Sequence, residues 1–102
     1  MTTETAKFAL LALETKKTVF FIYDDKPRFV EVHAVGLTSK GEALRGWQTA
    51  GESSRPLPCW ALFTIDKIVM PTAINTPSLA PRPGYAENDK QMITIFGQVP
   101  AA

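Results

Sequence analysis

The chain reads as a mainly β protein with flanking helices, an α+β arrangement built on a small antiparallel β-barrel. Short β-branched and aromatic runs recur from Thr18 to Met70, separated by turn-forming clusters. Helical patterning is confined to the two ends of the chain. Strands with mostly apolar faces bury them by curling into a closed or nearly closed barrel, and closure removes exposed sheet edges.

A chain of 102 residues fits one domain, taken here as 1–102, with a single core. Hydrophobic residues at 45% and charged residues at 21% argue against disorder. The formal net charge of +1 supplies no bulk attraction to nucleic acid or membrane, so such binding requires a local patch. Cys59 is the sole cysteine, which excludes an intramolecular disulfide and a cysteine metal cluster. The longest apolar run, Phe8 to Leu13, is too short to span a bilayer, and no secretory pattern opens the chain. A cytoplasmic location is expected. No 20–50-residue period is visible, which removes solenoid and propeller folds.

A helix is predicted at about 3–15, where Ala, Leu, Glu and Lys dominate and Phe8, Leu11 and Ala12 share helical spacing behind a threonine cap. Thr18–Tyr23 reads as a strand buried on both faces, ended by Asp24-Asp25-Lys26-Pro27. Arg28–Leu37 is a longer strand; Val30, Val32 and Ala34 share one face, and Phe29, Glu31, His33 and Val35 the other. Thr38–Gly41 turns the chain into an antiparallel strand, Glu42–Thr49, with Leu44 and Gly46 on one face and Ala43, Arg45 and Trp47 on the other. Ala50–Pro58 is a loop, Cys59–Ile65 a strand, and Ile68–Met70 a short fifth strand that Pro71 interrupts. The barrel so defined covers about 17–70. A proline-rich connector follows at about 71–84. Asn88 with Gln91 resembles a capping box, and Met92, Ile95, Phe96 and Val99 predict a terminal helix at about 89–98. The apolar lining is assigned to Val30, Val32, Leu44 and Phe63.

The order Arg28-Phe-Val-Glu-Val-His-Ala-Val-Gly, then Gly41 with Leu44-Arg-Gly-Trp, then Leu62-Phe-Thr-Ile-Asp-Lys-Ile resembles the WYL domain over roughly residues 17–70. The resemblance implies an Sm-like or SH3-like barrel, used in bacterial and phage regulatory proteins as a ligand-sensing module, with some members binding single-stranded nucleic acid. It also implies a basic and aromatic barrel surface, matched here at Tyr23, Arg28, His33, Arg45 and Lys67. The naming Trp-Tyr-Leu triplet falls at Glu42-Ala43-Leu44, and Lys67 stands where arginine is common. One helix's worth of sequence precedes the barrel in place of a helix-turn-helix, so sequence-specific duplex binding is not expected.

The predicted ligand-binding residues are Tyr23, Arg28, His33, Arg45, Trp47, Arg55 and Lys67. Arg45 and Trp47 form the central pair, because a base stacks on an aromatic ring while a neighbouring cation holds phosphate. The competing reading packs Trp47 under the connector and leaves Arg45 solvated. His33 is either a pH-sensitive ligand contact or a half-buried histidine bonded to backbone. Arg55 reads more simply as a loop charge, Asp66 as a cap, and Cys59 as a packed thiol. No nucleophile-elbow, phosphate-loop or zinc signature appears, so enzymatic turnover, a cofactor and a metal are not expected. The function expected is a regulatory module binding single-stranded DNA or RNA, or a nucleotide-like anion. The alternative is a module for self-association or for binding a regulatory protein partner.

Overall fold

The computed structural model describes residues 2–101. Helix α1, Glu4–Thr15, begins where Thr3 Oγ1 accepts the Ala6 N–H at 3.2 Å and ends at Lys16 in the left-handed conformation, φ 58°. Thr3 is itself held, its hydroxyl donating to Glu42 Oε1 at 2.6 Å. The buried face is Ala6, Ala9 and Ala12, whereas Leu11 is 58% exposed. The helix is thus rotated from the expected Phe8–Leu11–Ala12 stripe, because alanines let it lie close on the sheet while Phe8, Leu10 and Leu13 pack at its margins.

The strands are β1 (Lys17–Tyr23), β2 (Lys26–Thr38), β3 (Gly41–Gly51), β4 (Cys59–Thr64), β5 (Val69–Pro77) and β6 (Thr94–Gln98), with a 3-10 turn at Ile65–Lys67. All pairings are antiparallel, in the order β4-β3-β2-β1-β5, and β6 adds to β2. The sheet is not closed into the expected barrel. Among the described residues, strand β4 pairs only with β3, and β5 only with β1. Strand β2 would extend about 40 Å if straight. The molecule extends 29 × 29 × 25 Å along its principal axes, and register shifts along β2 bend that strand.

The predicted C-terminal helix is instead strand β6. Strand β1 pairs with β2 only from Lys26 to Val30, leaving the edge from Ala34 to Leu37 to β6. Satisfying that edge's backbone groups outweighs the weak helical pattern of a segment containing Gly97. The register shift between Val35↔Gly97 and Gly36↔Ile95 makes Phe96 an extra residue, which breaks strand alternation. Asn88 is no helix cap: its φ is 63°, and its side-chain oxygen accepts from Gln98 Nε2 at 3.2 Å. Strand β5 also runs on past Pro71 to Pro77, taking half of the predicted connector. As an edge strand it tolerates proline, with Met70 at φ 56° forming an irregularity.

His33 is the extra residue in a bulge on β2, lying between the pairs Val32↔Gly46 and Ala34↔Arg45. The bulge moves Val35 into the core with Val30 and Val32, correcting the face expected for it. Core residues Val19, Phe21, Val30, Val32, Val35, Leu44 and Phe63 lie between the inner sheet face and α1. The expected lining of Val30, Val32, Leu44 and Phe63 is therefore present. Glu31, Trp47 and Trp60 form a cross-strand row on the opposite face.

Candidate ligand-binding cleft

The outer row is polar enough to require partners, and the chain after β5 supplies them. Glu31 is 2% exposed, and a carboxylate buried that deeply is costly unless bonded. Arg82 donates from Nε to Glu31 Oε1 at 2.6 Å and from Nη2 to Oε2 at 3.0 Å, while the Leu79 N–H donates to Oε2 at 3.1 Å. The Arg82 backbone N–H also donates to His33 Nε2 at 3.0 Å. Nε2 must therefore be unprotonated, and Nδ1 carries the hydrogen donated to the Glu31 carbonyl at 2.9 Å. His33 is fully buried, and that burial lowers its pKa despite the favourable Glu31 contacts.

The His33 ring also belongs to an aromatic cluster with Trp47, Trp60 and Tyr85. Trp60 lies 4.7 Å from His33 and 5.0 Å from Trp47, both edge-on, and 6.2 Å from Tyr85 in a stacked orientation. The Tyr85 hydroxyl donates to the Val99 carbonyl at 2.7 Å, tying the ring to the chain end. Burial, with Glu87 and Asp89 nearby, raises the phenol pKa, so it remains a donor at neutral pH. Beside these rings a cleft of about 340 Å³ opens between the sheet residues Arg45 and Trp60 and the segment Gly84–Lys90.

Arg45 does not stand free beside Trp47. It donates to Asp89 from Nε at 2.6 Å and Nη2 at 3.4 Å. Burial opposes ionisation of Asp89, but the Arg45 bonds and the Gln91 amide outweigh it and lower the pKa. The pair is internally neutral. Among the described residues, Lys90 and Arg55 make no ion pair, and Arg55 donates to the Trp60 carbonyl at 2.6 Å. The cations left to meet an anion beside Trp60 are therefore Lys90 and Arg55.

The seven residues predicted from sequence do not meet on one exposed face. Arg28 follows the core side of β2 and is 8% exposed, donating to Gln48 Oε1 and to the Tyr23 carbonyl, each at 3.2 Å. Its guanidinium sits over the Tyr23 and Phe63 rings, and its Nε has no partner among the described residues. Tyr23 is on that same inner side, its hydroxyl accepting the Thr64 N–H at 3.1 Å. His33 is enclosed under Arg82, and Lys67 is exposed in the 3-10 turn. Of the seven, His33, Arg45, Trp47 and Arg55 gather around Trp60, and the polar groups of His33, Arg45 and Arg55 are already bonded within the chain.

Sequence reasoning passed over Trp60, Tyr85, Arg82, Asp89 and Lys90. Trp60 was detectable in principle, because a β3–β4 hairpin can place it opposite Trp47. Glu31 also carried a signal: a carboxylate in a strand buried on both faces demands a donor from elsewhere. Nothing local identified Arg82 as that donor.

No family model matches the sequence, and comparisons with the curated proteins and with the solved structures give no significant match. Among the described residues no cluster of three His, Cys, Asp or Glu side chains could hold a metal ion, and no helix is long and apolar enough to cross a membrane.

Proposed function

We propose that the protein is a regulatory binding module whose ligand is a nucleotide or a short single-stranded nucleic acid, held in the cleft beside Trp60. The carrying observation is the cluster of Trp47, Trp60 and Tyr85 at the edge of a 340 Å³ cleft lined by the cation Lys90, with Arg55 bonded to the Trp60 carbonyl. A base stacks against Trp60 or Tyr85, Lys90 and Arg55 meet phosphate, and the Arg45–Asp89 pair shapes the floor. Each stacked base contributes about 1–3 kcal/mol, which makes the rings rather than the net charge the main source of affinity. The resemblance to the WYL domain supports the same ligand-sensing role, although the contacts here fall largely outside its motif.

Fluorescence anisotropy with labelled single-stranded oligonucleotides, and tryptophan quenching by nucleoside monophosphates, test this reading. Trp60→Leu should weaken binding by about tenfold or more, and Lys90→Glu should weaken it and reduce its salt dependence. Absence of binding at low salt, or binding indifferent to both substitutions, rejects the proposal.

A second reading, self-association or docking of a protein partner, is favoured by exposed apolar side chains away from the cleft. Met70 and Ile93 are each 72% exposed, and the Ile93 N–H donates to the Leu37 carbonyl, placing Ile93 beside another exposed apolar residue. Light scattering at rising concentration tests self-association; a strict monomer counts against it.

A further inference from the structure

The cleft is not a property of the sheet alone. Arg45 and Trp60 come from β3 and β4, but every other lining residue belongs to Gly84–Lys90. That segment continues from Ser78; residues 79–85 attach to β2 through the Glu31 and His33 contacts, whereas Asn88 and Asp89 attach separately to Gln98 and Arg45. We propose that residues 78–85 form a pH-released strap with neutral His33 as its catch, so that the cleft keeps its Tyr85 wall while the strap is docked and loses it when His33 is protonated.

The geometry carries the proposal. Nε2 of His33 is occupied as an acceptor by the Arg82 N–H, so a proton added there replaces an attractive contact with two opposed N–H groups. Nδ1 is already committed to the Glu31 carbonyl, and the ring is fully enclosed, so the imidazolium has no water to solvate it in this position. The charged and titratable groups facing it are few. Glu31 on β2 would welcome a proton on the ring, but its carboxylate is matched by Arg82 of the strap, while Tyr85 of the strap is a neutral phenol. Among the described residues, strand β4 presents only the Trp60 ring, and the chain after β6 presents only the Val99 N–H, donated to the His33 carbonyl. Burial places the ring's pKa below its ordinary value, so the catch holds at neutral pH and fails as pH falls through that lowered value.

Strap release stands independently of the ligand; its effect on binding rests on the function proposed above. Amide NMR of the intact chain, titrated from about pH 8 to about pH 5 with the His33 ring protons as monitor, tests the release. The Leu79, Arg82 and Tyr85 amides should shift or broaden together with the His33 titration, while Val30 and Leu44 remain in place. His33→Gln, which keeps a neutral acceptor, should remove the transition. Three results overturn the proposal: strap amides indifferent to His33 titration, a ring neutral with the strap docked down to about pH 5, or strap and core lost together. The same titration with fluorescein-labelled single-stranded (dT)10 should show affinity falling about tenfold if one tenth of the straps remain docked. Full affinity with the strap released also overturns the gating role, whereas no binding at any pH rejects the proposed function and leaves the strap result standing.

Discussion

Arg45 Nε donates to Asp89 Oδ2 at 2.6 Å, joining strand β3 to the turn that leads into β6. Both side chains are mostly buried, so the pair acts as a structural tie as well as the cleft floor. Asp89→Ala should cost about 1.5–3 kcal/mol in urea unfolding, the range for a hydrogen bond to a charged group.

The same pair sets an acid limit. The Asp89 pKa is depressed in the fold, so the unfolded chain takes up its proton first as pH falls. Its stabilisation is complete above the ordinary carboxylate range, near 4, and is lost as pH falls through the lower folded value. Unfolding curves between about pH 6 and about pH 2 should show a slope that Asp89→Asn reduces.

Glu31 holds Arg82 through two side-chain bonds and Leu79 through one backbone bond. Glu31→Gln keeps the shape and one acceptor but loses the charge, and should cost about 1.5–3 kcal/mol. Because the partners lie in the strap, hydrogen exchange should rise first at residues 79–85 and only later in the core.

Arg28 packs its guanidinium over Tyr23 and Phe63 and bonds to Gln48. Arg28→Ala should therefore destabilise the fold by about 2–4 kcal/mol through lost packing and buried hydrogen bonds. Oligonucleotide affinity, measured where the variant is folded, should stay within about twofold, because stability and ligand contact separate at this position.

Gly36 lies where β6 crosses β2. An added Cβ would collide with the Thr94 carbonyl and sit 2.8 Å from Met92 Sδ. Gly36→Ala should cost about 1–3 kcal/mol by overpacking, measured by denaturant unfolding, with amide protection falling most across 94–98.

The sequence by itself determined the local parts. Thr3 capping an Ala- and Leu-rich run predicted α1, and the β-branched runs around Asp24-Asp25 and Ser39-Lys40-Gly41 predicted two hairpins to within a few residues. It also determined the alternation of Leu44 and Gly46 against Arg45 and Trp47, because that depends only on strand geometry. Tertiary structure decided what lies far apart in sequence. Residues 94–98 became a strand because the free half of β2 offered hydrogen-bond partners that no local pattern encodes. The return of residues 78–89 then turned two expected ligand contacts into internal ties, His33 to Arg82 and Arg45 to Asp89, while the pairing of β2 with β3 tied a third, Arg28, to Gln48. Each of these side chains bonds to the buried partner the fold brings to it, and only the assembled chain shows which partner that is.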